Sequence, residues 1–175
     1  FDFSKYQELI EHAARLDLGV YLGLTCEQAP NWLFRKYPDA HMIGRDGLPV
    51  AYQAQSTLPA DGKPGPCYDH PGAMADQLRF IHKLVSVLGQ YENIVVWNTW
   101  QEIGYWAEAF AGSSVCYCPH TIRSYHSWLA DLYGGKIDQL NQHWNVRYNS
   151  FEDIYPERSK RGNAVPQEFY FRYFM

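Results

Sequence analysis

The sequence predicts an α/β fold in which parallel strands alternate with helices. Two short apolar runs, at residues 20–24 and 94–97, are typical of buried strands. Between them, residues 72–90 carry apolar side chains at helical spacing. A strand, a long helical crossover and a second strand form a βαβ unit, whose strands pair in parallel while the helix packs on the sheet. We therefore expect a parallel sheet that is covered by helices.

The other helices are predicted from apolar spacing and from the residues that begin or end them. Ser4 followed by Gln7 has the capping-box pattern, and it predicts a helix over residues 5–16 that stops at Gly19. The same kind of spacing predicts a helical turn and two more helices, at residues 32–35, 121–132 and 137–144. The stretch from 26 to 71 is punctuated by Pro and Gly and is expected to be a long irregular excursion.

Composition and charge exclude several classes of protein. The 175 residues are 46% hydrophobic and 19% charged, which is typical of a single globular domain rather than a disordered or fibrous chain. The net charge of −4 provides no basic field for a nucleic acid. No apolar run approaches the roughly 18 residues of a membrane-spanning helix. We expect neither nucleic acid nor a membrane as a partner. The first residue is Phe1, so we expect a piece of a longer protein and leave its compartment open.

A candidate catalytic carboxylate follows the second predicted strand. Functional groups in parallel α/β folds gather at the carboxyl ends of strands, and Glu102 lies a few residues beyond residues 94–97. Trp97 and Trp100 could lower the local dielectric and raise the pKa of Glu102, as a general acid requires, and could also form a sugar-stacking wall. Gln101 could bind a substrate hydroxyl. The alternatives are a surface glutamate, a loop glutamine and core tryptophans.

A second candidate site contains cysteines. Cys116, Cys118 and His120 lie close together in the chain, and Cys67 lies in another loop. These side chains are soft or borderline metal ligands, so a structural zinc site that joins the two loops is one interpretation. Free buried cysteines and a disulfide from Cys67 to Cys116 or Cys118 are two others. No motif indicates a cofactor for catalysis.

Short motifs in a fixed order extend over most of the chain, and together they resemble the catalytic barrel of glycoside hydrolase family 42, the β-galactosidase family. They are Phe1-Asp2-Phe3-Ser4, Ala29-Pro30-Asn31-Trp32-Leu33, Lys36-Tyr37-Pro38, Asp46-Gly47, residues 97–104, Cys116-Tyr117-Cys118-Pro119, Trp128-Leu129, Tyr133-Gly134 and Leu140-Asn141-Gln142-His143-Trp144.

The resemblance implies that residues 1–175 are a fragment of a (β/α)8 barrel catalytic domain, from about its second helix through its fourth βα unit. The chain is shorter than the roughly 250 residues of a complete barrel and is incomplete on its own. The resemblance also implies a retaining hydrolase that cleaves terminal β-linked sugars, mainly β-galactosides. Glu102 would be the general acid/base, and the nucleophile would lie outside this chain, which alone would be inactive. The full-length parent is expected to be a homo-oligomer.

The chain departs from the family pattern at four positions. Gln101 stands where the family has Asn, and Lys63 where it has an arginine that lines the site. The zinc-binding members use four cysteines, of which Cys67, Cys116 and Cys118 match three. Thr121 stands at the fourth position, so either His120 beside it substitutes or the site is empty. Asn149 replaces a sugar-stacking Trp. Gln101, Lys63 and Asn149, together with the missing nucleophile, favour an alternative, a catalytically inactive carbohydrate-binding or regulatory barrel fragment.

Overall fold

The computed structural model describes residues 1–24, 29–50, 65–99 and 116–156, with the single positions Arg158, Pro166, Phe169, Tyr170 and Tyr173. Within these ranges the elements are, in chain order, α1 (Ser4–Arg15), β1 (Val20–Gly23), α2 (Asn31–Lys36), α3 (Pro71–Leu88), β2 (Ile94–Asn98), α4 (Pro119–Leu132), α5 (Ile137–Trp144) and a short 3-10 helix (Phe151–Asp153). No helix in the described part of the chain is both long enough and apolar enough to cross a bilayer.

The two strands form a parallel pair, as predicted. Tyr21 lies opposite Val96 and Gly23 lies opposite Asn98, with an irregularity in the register between Val20 and Tyr21. Because parallel strands run in the same direction, the carboxyl ends of β1 and β2 lie at the same edge of the sheet. The loops that follow the two strands therefore start from neighbouring positions.

One face of the sheet is covered by α1 and α3. Apolar side chains from these helices and from the strands form a single cluster, which comprises Phe3, Ile10, Leu24, Leu84, Leu88 and Ile94, with Val20, Leu22 and Trp97 packed against it. Burying an aliphatic side chain of this size contributes about 1.5–3 kcal/mol. The cluster fixes the two helices to the pair of strands and thereby fixes the position of the strand ends.

The opposite face of the sheet is open among the described residues. Tyr21 is 62% exposed and its register partner Val96 is 42% exposed. The prediction of a buried first strand is therefore wrong, because the residues of β1 alternate between half-buried and exposed. Side chains alternate between the faces of a strand, and the described helices cover one face only.

The ends of α1 differ from the prediction. The capping box is wrong, because the N-cap of α1 is Phe3 and Ser4 is already the first residue of the helix. Instead, the Asp2 carboxylate accepts the backbone N–H of Ser4 at 3.0 Å, and the Gln7 amide donates to the Tyr91 hydroxyl at 3.2 Å. The helix ends at Arg15, before Gly19, and Asp17 adopts a left-handed backbone with φ of 56°. Aspartate tolerates that conformation better than most residues do.

Helix α3 begins at a capping histidine. Nδ1 of His70 accepts the backbone N–H of Ala73 at 3.1 Å. The predicted apolar stripe is only partly buried, because Leu78 is 50% exposed. The buried side of α3 includes Asp76, a carboxylate that lies 2.7 Å from the Lys36 ammonium of α2. This ion pair joins the two helices.

Helices α4 and α5 form a second apolar core with the 3-10 helix. Tyr125, Leu129 and Leu140 have no exposed surface, and they pack with other buried side chains that include Trp144 and Ile154. The indole N–H of Trp144 donates to the Tyr133 hydroxyl at 2.8 Å. This core holds the start of α4, and hence the cysteines beside it, in a defined position.

Candidate functional site

The strand ends provide the edge where the sequence predicts catalysis. The backbone N–H of Leu24 donates to the carbonyl oxygen of Asn98 at 2.8 Å, which extends the strand pairing by one residue. Glu102 follows Asn98 by four residues in the chain. Lys63, Trp100, Gln101 and Glu102 lie outside the described residues, and their assignments remain predictions.

Trp97 lies on the helix-covered side of the sheet. It is half-buried, pairs in register with Leu22, and packs against the apolar cluster of α1 and α3. The next residue, Asn98, is also half-buried and, by strand alternation, lies on the face of Val96.

A short segment joins the two loops that carry the cysteines. The carbonyl oxygen of Ala40 accepts the backbone N–H of Cys67 at 2.7 Å, and the carbonyl oxygen of Ile43 accepts the backbone N–H of Tyr117 at 2.8 Å. Residues 40–43 therefore bring Cys67, which precedes α3, next to the pair that precedes α4. This arrangement agrees with the interpretation in which the cysteines join the two loops.

Three of the four predicted metal ligands meet at this point. Cys67, Cys116 and Cys118 are buried, with exposed fractions of 1%, 4% and 1%, and their sulfurs all lie within 4.8 Å of one another. We call these three residues the thiol cluster. The sulfurs of Cys67 and Cys118 are 3.2 Å apart, within hydrogen-bond distance, and the three thiols are free.

Backbone N–H groups point at two of the sulfurs. Cys116 Sγ accepts from Ile43 at 3.3 Å and from Cys118 at 3.5 Å. Cys118 caps the N-terminus of α4, and its sulfur accepts the N–H of Thr121 at 3.4 Å. Donors at sulfur and a helix N-terminus both favour the thiolate form, which is the form that binds metals.

The three thiols affect one another's protonation. Contacts with Cys116 and Cys67 lower the pKa of the Cys118 thiol. Contacts with Cys116 and Cys118 raise the pKa of Cys67, and the contact with Cys118 raises the pKa of Cys116 to about 11. Of the three thiols, Cys118 at the helix N-terminus is therefore the one whose thiolate form is favoured most.

The fourth predicted ligand, His120, lies outside the thiol cluster. Its Nε2 is 2.9 Å from Oδ2 of Asp39, and Nε2 of His70 is 3.1 Å from Oδ1 of the same carboxylate. We call Asp39, His70 and His120 the histidine cluster. Their nitrogen and oxygen atoms also lie within 4.8 Å of one another, so this cluster must be considered as a second metal site.

The tautomers of the two histidines oppose metal binding at the histidine cluster. His70 Nδ1 accepts the N–H of Ala73 at 3.1 Å, and His120 Nδ1 lies 2.9 Å from a guanidinium nitrogen of Arg123, which can only donate. Each neutral ring therefore carries its proton on Nε2 and donates it to Asp39. A ligating histidine has the opposite arrangement, in which the second nitrogen donates its proton to an acceptor.

The thiol cluster fits zinc better. It offers three buried sulfurs, and N–H groups that stabilise thiolates surround two of them. A structural zinc ion prefers four ligands in a tetrahedron. The hydroxyl Oγ1 of Thr121 lies 3.1 Å from Cys67 Sγ and 3.5 Å from Cys118 Sγ, and Thr121 has no exposed surface. Thr121, which the family resemblance predicts at the position of the fourth cysteine, therefore lies beside two of the three sulfurs.

Comparison with known proteins extends over the whole chain. The model of glycoside hydrolase family 42, described as beta-galactosidase, matches residues 1–175. The beta-galactosidase LacZ of Heyndrickxia coagulans is 26% identical over 163 residues, which are 88% of this chain and 22% of that protein. The chain thus spans about a fifth of the length of the curated relatives it matches.

Solved structures give the same fold. The polyextremophilic beta-galactosidase from Halorubrum lacusprofundi superposes with a TM-score of 0.82 at 22% identity, over 99% of this chain and 25% of that one. The beta-galactosidase from the psychrophilic Marinomonas ef1 superposes with a TM-score of 0.80 at 18% identity, over 97% of this chain and 25% of that one. The chain therefore belongs to glycoside hydrolase family 42, and its fold is part of that family's (β/α)8 barrel.

Proposed function

We propose that the protein containing this chain is a retaining glycoside hydrolase that cleaves terminal β-linked sugars, with β-galactosides as its substrates. The observation that carries the proposal is the family match over residues 1–175, combined with the position of Glu102 just beyond the carboxyl end of β2. Functional groups of (β/α)8 barrels lie at this end of the strands. Relatives that match most of the chain are named beta-galactosidases, which supports the choice of sugar.

Glu102 acts as the general acid and then as the general base. In the first step its carboxyl proton goes to the glycosidic oxygen while the bond to the anomeric carbon breaks, and a carboxylate from another part of the protein forms a covalent bond to that carbon. In the second step Glu102 takes a proton from water, whose oxygen displaces the enzyme carboxylate. Retaining enzymes hold the two carboxyl groups about 5–5.5 Å apart.

The neighbouring predicted residues position the sugar. The amide of Gln101 hydrogen-bonds a substrate hydroxyl, and the ammonium of Lys63 provides a charged donor without the bidentate geometry of arginine. Trp100 offers a ring face for the apolar side of the sugar. Trp97 packs against the apolar cluster through part of its surface, so its contribution is to support the wall of the site.

The test is the variant Glu102→Gln in the full-length protein. Loss of proton transfer lowers kcat for an unactivated β-galactoside by about 10²–10⁴-fold. An aryl galactoside with a good leaving group needs no protonation in the first step and is affected less. Azide, which attacks the glycosyl-enzyme without base assistance, restores turnover of the aryl substrate and yields a glycosyl azide.

A matched control is Glu92→Gln. Glu92 is an exposed glutamate just before β2, at the opposite end of the strand from Glu102. This variant keeps wild-type activity. Full activity in Glu102→Gln would remove Glu102 from the mechanism, and equal losses in the two variants would show that the effect is structural.

A second candidate function is sugar binding without turnover. It is favoured by Asn149, which stands where the family places a stacking Trp and which is exposed. Its backbone N–H donates to Asp153 at 3.1 Å. Calorimetry with galactose, combined with a hydrolysis assay of the wild-type protein, separates the two functions. Binding without hydrolysis by a folded wild-type protein would establish the second function and overturn the first.

The thiol cluster is proposed to hold a structural zinc ion. Cys67, Cys116 and Cys118 would bind it as thiolates and would link the loop before α3 to the loop before α4. When bound, zinc supplies charge neutralisation and a rigid tetrahedral joint. Metal analysis of the purified protein, with Cys116→Ser as the comparison, tests this: about one zinc per chain in the wild type and clearly less in the variant.

A further inference from the structure

The Thr121 side chain offers a hydroxyl oxygen to the thiol cluster. Its Oγ1 lies 3.1 Å from Cys67 Sγ and 3.5 Å from Cys118 Sγ, and the residue is completely buried. Its own backbone N–H donates to Cys118 Sγ at 3.4 Å, which holds Thr121 against the sulfurs. The hydroxyl is thus directed at the metal-binding group by the first turn of α4.

We infer that the zinc site of this chain has three thiolates and the hydroxyl of Thr121 as its four ligands, and not four thiolates. The inference rests on the proposed zinc ion. It assigns Thr121 a ligand role, and it predicts a site that is weaker and less negatively charged than a four-cysteine site.

The chemistry of the ligands gives the direction of both differences. Zinc is a borderline-soft ion that binds thiolate sulfur strongly, whereas a neutral hydroxyl is a poorer donor. Three thiolates with Zn²⁺ leave a net charge of −1, and four leave −2. The smaller charge costs less to bury. The poorer hydroxyl donor weakens the bond to zinc at the fourth position. The smaller net charge lowers the free-energy cost of burying the site away from solvent.

The other candidates for the fourth position are excluded or separately testable. The ring nitrogens of His120 are engaged by Asp39 and Arg123. Among the described residues, no further His, Cys, Asp or Glu joins the three cysteines. Cys26 lies outside the described residues and is the remaining thiol of the chain. Its replacement by serine therefore belongs in the experiment.

The experiment uses Co²⁺ as a spectroscopic substitute for zinc in the full-length protein, together with zinc affinities from chelator competition. The variants are Thr121→Cys, Thr121→Val, Thr121→Ser and Cys26→Ser. Valine has the shape of threonine without its oxygen, and serine keeps the hydroxyl. Circular dichroism verifies that each variant is folded. The cobalt absorbance and the zinc affinity do not depend on enzymatic activity, so they can be compared across all the folded variants.

The expected results differ for each variant. Thr121→Cys increases the sulfur-to-cobalt charge-transfer absorbance by about a third, from three to four thiolates, and tightens zinc binding at least about tenfold. Thr121→Val keeps the three-thiolate absorbance but weakens zinc binding by about tenfold. Thr121→Ser and Cys26→Ser behave as the wild type does.

Two results would overturn the inference. If Thr121→Val binds zinc as tightly as the wild type does, Thr121 is not a ligand. If Cys26→Ser loses a quarter of the charge-transfer absorbance, the fourth ligand is Cys26. A folded wild-type protein that binds neither cobalt nor zinc would overturn the zinc proposal itself. This outcome is seen in the wild-type protein, whereas the two results above are seen only in the variants.

Discussion

Nε2 of His120 lies 2.9 Å from Oδ2 of Asp39, and this contact separates the histidine from the thiols that precede it in the chain. Cys118 and His120 are two residues apart, yet Cys118 faces Cys67 whereas His120 faces Asp39. The two side chains therefore belong to different clusters. The thiol cluster has N–H donors that stabilise thiolates. The histidine cluster has tautomers that leave no free nitrogen lone pair for a metal.

The first prediction concerns metal content. His120→Gln removes the ring but keeps an N–H that can donate to Asp39. Because His120 is not part of the thiol cluster, the zinc content of this variant stays at the wild-type value. Cys116→Ser removes a sulfur from the thiol cluster and lowers the zinc content. Metal analysis of both folded variants is the measurement. An equal loss of zinc in His120→Gln and Cys116→Ser would show that His120 is a ligand.

The second prediction concerns acid stability. Hydrogen bonds from His120 and then His70 lower the pKa of Asp39 to about 2. Its pKa in the unfolded chain is about 3.9, so the stabilisation by this carboxylate is complete above pH 4 or so and is lost as the pH falls toward about 2. Asp39→Asn is therefore less stable than the wild type near neutral pH, and the difference shrinks as the pH falls through this window.

Urea unfolding of the wild type and Asp39→Asn at a series of pH values tests this, and carboxyl carbon chemical shifts report the pKa of Asp39 directly. A difference between the two proteins that stays constant from pH 5 to about pH 2 would contradict the assignment.

The third prediction concerns the buried carboxylate of α3. Asp76 is 3% exposed and lies 2.7 Å from the Lys36 ammonium and 2.8 Å from the Arg79 guanidinium. Asp76→Asn removes the charge but keeps the size of the side chain. The free energy of unfolding falls by about 2 kcal/mol, within the range for hydrogen bonds to charged groups, because both cations are partly exposed and recover hydration. Chemical denaturation measures the change.

The control for Asp76 is Glu8→Gln. Glu8 is an exposed glutamate on α1, and removing its charge changes the free energy of unfolding by less than about 0.5 kcal/mol. If Asp76→Asn were equally neutral, the ion pairs of Asp76 with Lys36 and Arg79 would contribute nothing to stability.

The fourth prediction concerns the packing of Gly72 against Tyr37. A Cβ atom at Gly72 would lie 2.5 Å from Cε1 of Tyr37, so the tyrosine ring must move if alanine is introduced. A helical glycine changed to alanine gains about 1 kcal/mol where space allows, whereas overpacking costs about 1–3 kcal/mol. Gly72→Ala in the wild-type protein is therefore destabilising by about 1 kcal/mol in thermal or chemical unfolding.

A double variant provides the internal control. In a Tyr37→Ala background the obstacle is absent, and Gly72→Ala becomes stabilising because only the helix propensity remains. Gly23→Ala serves as a second control, since a Cβ atom there meets nothing within 4 Å. Stabilisation by Gly72→Ala in the wild-type background would refute the packing argument.

Much of the local structure was predictable because it depends on local patterns. Apolar spacing in residues 72–90 and the apolar run at 94–97 correspond to α3 and β2, and their order implied the parallel pairing. The capping box at Ser4 failed because a competing acceptor, Asp2, lies two residues earlier. Backbone capping is a competition between neighbouring side chains, and the motif alone does not resolve it.

In the candidate sites too, the residue types were predictable from the sequence, whereas their contacts with distant segments were not. Cys67, Cys116 and Cys118 were recognisable as candidate metal ligands, but their meeting depends on backbone hydrogen bonds to residues 40–43. The burial of Asp76 was not predictable from a helix pattern that places charged residues outside, because its partner Lys36 is 40 residues away.

The sequence by itself determined the βαβ unit, the resemblance to glycoside hydrolase family 42 and the choice of cysteines as candidate metal ligands, because periodicity and residue chemistry are properties of short segments. Only the tertiary structure decided that Thr121 rather than His120 lies at the thiol cluster, and that Trp97 packs on the helix-covered face. The direction of a side chain depends on the helix turn or strand face that carries it and on contacts with distant segments.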